Sequence, residues 1–309
     1  MFYVLLLYAL FASVFTISKT GLAYTTPLFF VGTRMLLAGV ILLGYQFLFK
    51  KQTLSLSRKA WWRLMLLAFF NIYLTNVFEF WGLRYLTSFK TCFIYSLSPF
   101  LSALFSYFLF SENLTRKKWM GLFVGFLGFL PILLAQTTNE GEAGHFFFFS
   151  WAELAVMMAA VCSVYGWILL KQLVSEHELS PMMANGTSMF VGGVLALGHS
   201  FAVEEWNPFP VTNYSIFFEC TLLLILISNL ICYNLYGNLL KRYSATFMSF
   251  AGFTTPLFTA LFGWLLLGEV VTWPFYISFF IVLLGLLLFE QAELKHSYQL
   301  KNLKGARGT

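Results

Sequence analysis

Two ionisable residues interrupt long apolar runs of this chain, Arg34 within Thr33-Arg34-Met35-Leu36-Leu37-Ala38 and Glu79 within Asn76-Val77-Phe78-Glu79-Phe80-Trp81. A charge in hydrocarbon costs roughly 2.5–3.5 kcal/mol on insertion scales, so such a group faces a bundle interior and meets a partner there. Arg34 lies about two turns, and Glu79 about one turn, from the same side of consecutive runs. Consecutive runs point in opposite directions, so both groups reach a similar depth. One reading is an ion pair that locks two helices together. The other is a pair of contacts for a ligand that carries both charges. Either way the chemistry is recognition, not bond making.

Asn71, Thr75 and Glu79 recur at i, i+4 and i+8, with Asn76 beside them, and so project from one helix face. Asn229, Tyr233 and Tyr236 form a second polar stripe, and Ser88, Thr91, Tyr95, Ser98 and Ser102 a third. Interhelical hydrogen bonding alone accounts for many such residues in membranes; three stripes on related helices fit a shared polar cavity. Tyr95, Tyr165, Trp167, Tyr233 and Tyr236 offer ring faces to a planar or cationic group. The chain holds 38 Phe, and most of them are expected to face lipid. Pro99 and Pro256 remove a backbone donor within apolar runs, which points to a pair of hinges.

These groups must be positioned by membrane helices. Of 309 residues, 59% are hydrophobic and 10% charged, against roughly 45–50% and about 25% in soluble domains. The apolar residues fall into runs of about 20, the length of one bilayer crossing. We read ten spans: Phe2 to Ser18, Pro27 to Phe49, Trp61 to Leu83, Ser88 to Phe110, Lys117 to Ala135, Trp151 to Leu170, Pro181 to Val203, Ile216 to Asn238, Ala245 to Leu267 and Trp273 to Phe289. The first has no small-residue cleavage site and reads as a retained helix. A polar linker, Gln136 to Ser150, divides the chain into halves, residues 1–137 and 150–293, followed by a basic tail over 294–309.

The halves repeat. Pro99, Ala103, Leu104, Phe105, Leu109, Glu112 and Thr115 recur without a gap, 157 residues on, as Pro256, Ala260, Leu261, Phe262, Leu266, Glu269 and Thr272. The same offset pairs Glu79 with Tyr236 and Asn76 with Tyr233. With the N-terminus inside, the cytoplasmic loops collect Lys50, Lys51, Arg58, Lys59, Arg63, Arg116, Lys117, Lys118, Lys171, Lys241 and Arg242, and the tail adds Lys295, Lys301, Lys304 and Arg307. The opposite side holds Lys19, Arg84 and Lys90. This asymmetry places both termini in the cytoplasm and explains the net charge of +6 without nucleic acid. An odd number of spans per half makes the repeats inverted. The fold class is therefore an all-α polytopic membrane protein, ten transmembrane helices in two inverted five-helix repeats.

Cys92, Cys162, Cys220 and Cys232 lack metal-ligand spacing and read as packing residues. The histidines fall in loops, at a span end or in the tail, so no metal, cofactor or catalytic site is expected. There is no P-loop and no nucleophile elbow, and no filter-like segment of a channel. Gly121, Gly125 and Gly128 form a small-residue face for a neighbouring helix or another protomer, leaving monomer or homodimer open.

Lys19-Thr20-Gly21, Pro27 with Thr33 to Ala38, Gly82-Leu83-Arg84-Tyr85, Leu97-Ser98-Pro99, Phe110 to Thr115 and the glycine face occur in an order similar to that of the EamA family of the drug/metabolite transporter superfamily. The resemblance covers nearly the whole chain, and its most specific part is the twice-present Pro-to-Glu-x-x-Thr segment. It implies two inverted EamA repeats, cytoplasmic termini in a plasma membrane (the bacterial inner membrane), carrier-type transport without ATP, and an arginine at position 34 whatever the cargo. The residues suit a small amphoteric metabolite: Glu79 for an ammonium, Arg34 and Asn76 for a carboxylate, Tyr and Trp faces for a ring or a sulfonium. S-adenosylmethionine matches, and some family members in intracellular bacteria exchange it for S-adenosylhomocysteine. Export of aromatic or hydrophobic amino acids or drugs is the alternative.

The charge count gives a first prediction. Alkaline phosphatase fused at Glu140 or Glu204 is expected to be active, and fused at Arg58, Arg116 or the tail to be silent. Activity at Arg116 together with silence at Glu140 would reverse the orientation.

Overall fold

The computed structural model describes residues 2–50, 57–110, 115–135, 143–146, 149–176, 179–243, 248 and 251–305. The linker stretch 136–142, the repeat residues Glu112, Asn113 and Leu114, Lys51, Ala245 at the start of the ninth span, and Arg307 lie outside the described residues. The helices are α1 (Phe2–Leu22), α2 (Pro27–Phe49), α3 (Arg58–Tyr85), α4 (Ser88–Tyr95), α5 (Ser98–Phe110), α6 (Arg116–Leu134), α7 (Trp151–Glu176), α8 (Pro181–Val203), α9 (Tyr214–Leu239), α10 (Thr255–Leu267) and α11 (Trp273–Gly305). Among the described residues seven helices are long and apolar enough to cross a bilayer by themselves; α10 and Trp273–Phe289 of α11 are shorter apolar helices. The remaining crossing is divided between α4 and α5. The ten spans are thus present, and the chain is an all-α polytopic membrane protein.

Local signals set the helix starts. Pro27 and Pro181 stand in the first turns of α2 and α8, where a missing N–H costs nothing. Ser180, Asn213, Thr87 and Thr115 cap α8, α9, α4 and α6 through their side-chain oxygens. Thr26 makes no side-chain cap on α2. Glu204, just past α8, takes that role: its two carboxylate oxygens accept from the Leu28 and Phe29 N–H groups, each at 2.9 Å. A carboxylate also suits the positive end of the helix dipole.

The described chain forms two compact units, residues 1–98 with 137–270, and residues 99–136 with 271–309. Each draws on both halves of the sequence. In the first unit α2 and α8 run antiparallel at backbone contact. A Cβ on Gly39 would lie 2.5 Å from the Phe190 nitrogen, and one on Gly193 2.4 Å from the Leu36 nitrogen. A shift of 154 turns Gly39 into Gly193 and Leu36 into Phe190, so the two contacts are the same contact seen from either side. Gly32 against Leu197 and Gly186 against Leu43 repeat the exchange. In the second unit Gly128 meets Val282 while Gly285 meets Gly125, and a shift of 157 exchanges these in turn. A self-complementary antiparallel contact requires a two-fold axis perpendicular to both helices. That axis lies in the membrane plane, so the repeats are inverted.

The glycine face of α6 packs on neighbouring helices of the same chain, Gly121 against Phe289 and Gly125 against Gly285 and Phe100, the first of the two readings offered by the sequence. A minority of the Phe side chains turn fully inward: Phe30, Phe80, Phe89, Phe93, Phe100, Phe129 and Phe275 are buried. Lipid tails give apolar side chains no preference for the outside, so rings fill the hollows that glycines leave, as Phe30 does over Gly21 and Phe100 over Gly125. The basic tail is helical to Gly305 as a continuation of α11, because Glu290-Gln291-Ala292-Glu293-Leu294-Lys295 are good helix formers with no Pro or Gly to stop them. Before α7, His145–Phe146 and Phe149–Ser150 make a two-residue antiparallel pair.

The reciprocal contact predicts equal sensitivity on its two sides. Gly39→Ala and Gly193→Ala are each expected to destabilise the protein in detergent by about 1–3 kcal/mol through overpacking. Gly44→Ala, where a Cβ meets open space, is expected to leave the melting temperature unchanged.

Candidate functional site

The central turns of α3 and α9 are π-helical, over Ala68–Leu74 and Ile225–Cys232. The two segments start 157 residues apart, and the second is one residue longer. A π segment breaks the regular backbone ladder and leaves carbonyls to be met by other groups. Asn76 meets them in α3, its Nδ2 donating to Ile72 O at 2.8 Å and Asn71 O at 3.4 Å. In α9, Asn234 does the same to Leu230 O at 2.9 Å and Asn229 O at 3.3 Å. The repeat equivalent of Asn76 is therefore Asn234, not Tyr233, and that of Glu79 is Gly237, not Tyr236. The extra π residue moves the register by one.

The free oxygens of these two asparagines do different things. Asn234 Oδ1 accepts from Asn185 Nδ2 at 3.1 Å, a neutral pair. Asn76 Oδ1 accepts from Arg34 Nη2. Arg34 is 2% exposed, and its Cζ stands 4.5 Å from the centroid of the Phe80 ring. Its Nε and Nη1 have no hydrogen-bond partner. Glu79, 9% exposed, accepts from the Tyr95 hydroxyl at 2.7 Å. Arg34 and Glu79 feel each other's charge, yet no contact ion pair joins them among the described residues; the close buried pair there is Lys90 with Glu153. The helix-locking ion pair is not formed. Each charge is held by a neutral neighbour, with binding capacity left over.

Aromatic rings stand beside the charges. The Trp167 ring of α7 lies tilted against Tyr236 at 4.2 Å and against Tyr233 at 5.2 Å between centroids. Tyr233 is near enough to Arg34, Glu79 and Asn76 to interact with all three, so the ring cluster adjoins the charged cluster. Helix α1 supplies Phe11, 6.4 Å from both Tyr233 and Tyr236, and Phe15, 5.7 Å from Tyr95. Tyr165 takes another direction, meeting Phe70 edge-on at 5.0 Å; two residues from Trp167, it projects about 200° around the helix. Asn229 faces two repeat-related methionines, its Nδ2 3.0 Å from Met35 Sδ and 3.7 Å from Met189 Sδ.

Pro99 and Pro256 do not bend continuous helices. Pro99 is the second residue of α5, after a tightened turn in which Ser96 N and Leu97 N bond back three residues to Phe93 O and Ile94 O. Pro256 is the second residue of α10, after a 3₁₀ turn over Gly252–Thr254. Proline suits a helix's first turn and so opens a new helix in both places. The loose carbonyls are met by hydroxyls, Tyr95 O by Ser98 Oγ and Ala251 O by Thr254 Oγ1. The crossing is broken one residue past Tyr95, the residue that holds Glu79.

Sequence reading missed a second polar cluster. Lys90, counted with the exposed basic residues of one side, lies buried in α4 and meets Glu153 at 2.8 Å, both 1% exposed. Glu153 also accepts from Ser150 N at 2.7 Å and donates its own N–H to Ser150 Oγ, a capping box that starts α7. Glu269 accepts from the backbone N and hydroxyl of Ser88 at 2.8 and 2.6 Å. Lys19 donates to the Leu83, Arg84 and Leu86 carbonyls at the end of α3. The Ser-x-x-Glu pattern at 150–153 was the available signal.

A two-fold pair of inverted repeats with broken helices and a buried charged cluster defines the class of multi-pass carriers, in which a site between repeats is exposed to alternate sides. The EamA-like transporter family matches residues 1–134 and again 150–290, and the chain belongs to that family. It is 40% identical, over 95% of its length and 92% of theirs, to the S-adenosylmethionine/S-adenosylhomocysteine transporter of Chlamydia muridarum (strain MoPn / Nigg). The protein of the same name from Chlamydia trachomatis serovar L2 is 41% identical over 94% of this chain and 89% of that one. A chloroplastic WAT1-related protein of Arabidopsis thaliana is 27% identical over 81% and 60%. A solved structure described only as the crystal structure of a protein has a TM-score of 0.64 at 16% identity, covering 93% of both chains, a likeness of fold.

The single hydrogen bond that the protein gives Arg34 predicts the behaviour of Arg34→Lys. An ammonium keeps the contact to Asn76 but loses the planar fork. The variant is expected to insert normally and to lose about tenfold or more in transport per folded molecule, as one charged hydrogen bond implies. Equal losses of folded protein and of transport would assign Arg34 to the fold alone.

Proposed function

We propose that this chain carries S-adenosylmethionine across a bacterial inner membrane in exchange for S-adenosylhomocysteine, with both termini in the cytoplasm. The observation that carries the reading is the pair of open donors on Arg34, buried beside Glu79 and next to a Trp/Tyr cluster. The relatives at 40–41% identity bear the name of that exchange. A zwitterionic amino-acid end needs what this cluster offers: the carboxylate takes the Arg34 fork, and the ammonium takes Glu79. Asn76 then aims the guanidinium and Tyr95 aims the carboxylate, rather than touching the cargo. Trp167, Tyr233 and Tyr236 take the adenine face and the sulfonium, the latter through cation–π attraction. Nothing in this scheme makes or breaks a covalent bond, so the chain acts as a carrier and not as an enzyme.

The break after Tyr95 and its counterpart before α10 serve as hinges. A substrate ammonium on Glu79 competes with the Tyr95 hydroxyl one residue from the first break, which gives occupancy a direct handle on helix direction. Binding energy spent there shifts the balance between inward- and outward-facing states only as far as cargo affinity differs between them.

Chemistry of the two cargoes fixes the electrical sign. S-adenosylmethionine carries carboxylate, ammonium and sulfonium, net +1; the homocysteine product lacks the sulfonium and is neutral. One-for-one exchange therefore moves one positive charge inward per cycle, worth about 2.3 kcal/mol per 100 mV of membrane potential. In proteoliposomes preloaded with S-adenosylhomocysteine, uptake of labelled S-adenosylmethionine is expected to exceed that of unloaded vesicles and to rise when the interior is made negative. Absence of uptake by correctly inserted protein would overturn the proposal, and export of labelled aromatic amino acids instead would replace it. Uptake indifferent to the counter-substrate would indicate a channel or uniporter.

A further inference from the structure

Arg34 is not the only buried polar group left with capacity. Asn71, in the π segment of α3, is 1% exposed, and neither its Oδ1 nor its Nδ2 has a hydrogen-bond partner. A buried unsatisfied amide costs about 1–3 kcal/mol for each group left unpaired, so an asparagine there is costly to the fold. Its repeat equivalent differs: Asn229 spends its Nδ2 on the Met35 and Met189 sulfurs. The chain keeps Asn71 by shaping a neighbour to it. A Cβ at Gly166 would lie 2.3 Å from Asn71 Cβ, 2.6 Å from Cγ and 2.8 Å from Oδ1. Gly166 immediately precedes Trp167, the ring at the centre of the aromatic cluster.

We propose that Asn71 is the residue that reads the base, pairing with the adenine edge of the cargo; this rests on the S-adenosylmethionine reading above. A carboxamide with a free donor and a free acceptor is complementary to adenine's exocyclic amino group next to a ring nitrogen: N6–H donates to Oδ1, and Nδ2–H donates to the ring nitrogen. Cytosine's amino group and N3 offer the same order, but hypoxanthine, with a carbonyl in place of adenine's amino group, does not. The spacing agrees. Asn71 and Glu79 are eight residues apart on α3, about 12 Å along the axis, the length of an adenine joined through ribose and sulfur to an extended amino-acid chain. Arg34 and Glu79 thus hold one end of the cargo, Asn71 the other, and the Trp167 cluster stands between.

The test compares two inhibitors of S-adenosylmethionine uptake: S-adenosylhomocysteine, and S-inosylhomocysteine, which has oxygen in place of the adenine amino group. The wild-type protein is expected to prefer the first by about tenfold to a hundredfold, the discrimination of one bidentate amide–base pair. Asn71→Leu is expected to bring that ratio close to one. Removing an unsatisfied amide for an apolar group of the same shape should leave the amount and thermal stability of the protein equal or higher, so a loss of selectivity without a loss of folding separates recognition from structure. Gly166→Ala retains Asn71 but displaces its amide and is expected to lower the ratio too. A ratio unchanged in Asn71→Leu, or near one in the wild type, overturns the assignment while leaving the transport reading standing. If the wild type does not take up S-adenosylmethionine at all, that reading fails, and this inference with it.

Discussion

The contact on which the rest depends is the antiparallel touch of α2 and α8 at Gly39 and Gly193. In lipid no hydrophobic gain draws two apolar helices together, and association relies on close packing and on polar contacts. Glycine at both reciprocal positions lets the backbones meet, and everything else hangs from that approach. It brings Met35 and Met189 together under Asn229, and Glu204 at the end of α8 over the uncapped start of α2. It also fixes the rotation of α2, and with it the direction in which Arg34 points.

Symmetry of the backbone is combined with asymmetry of the side chains. Both repeats have a π segment, and both close it with an asparagine amide. In the first repeat that asparagine holds a cation; in the second it holds another amide. The charged groups of the site come from the first repeat, and the cluster of Trp167, Tyr233 and Tyr236 beside them from the second. A carrier needs matching scaffolds so that its two open states are alike in energy, and it needs an unmatched lining so that cargo binds in one orientation. The two requirements fall on different atoms here, which is why they do not conflict.

The class, the ten spans and the inversion were legible because each rests on a signal of many residues: run length, the bias of Lys and Arg, and a duplicated Pro-to-Glu segment. The residues of the candidate site, Arg34, Glu79, Tyr95, Trp167, Tyr233 and Tyr236, stand out in the sequence because polar or amphipathic side chains contrast with Leu and Phe, and the fold gathers them into one mostly buried cluster. What could not be read were features set by the backbone. One extra residue in the π segment of α9 is invisible in a gap-free alignment, and it sent Asn76 to Tyr233 instead of Asn234. The prolines marked the breaks, but composition does not say that each opens a new helix. Phe11 and Phe15 were hidden among the other apolar residues of α1, as was the turn of Tyr165 on α7 toward Phe70. Lys90 is a lesson in the other direction: a basic residue near a helix start counts as exposed in a topology tally, yet Glu153 draws it fully inside.

The reciprocal glycine contact has a consequence for how such a chain arises. A surface complementary to its own two-fold image can be made by two copies of one short polypeptide, provided they enter the bilayer in opposite orientations. A five-helix ancestor with little bias in its loop charges would meet that condition, forming an antiparallel homodimer around the same axis. Fusion of two such copies then tethers the pair and removes the need for a chain that inserts both ways. From that moment the lysines and arginines are free to settle on one side, and Arg34 and its counterpart Ser188 can drift apart in chemistry while the glycines beside them cannot.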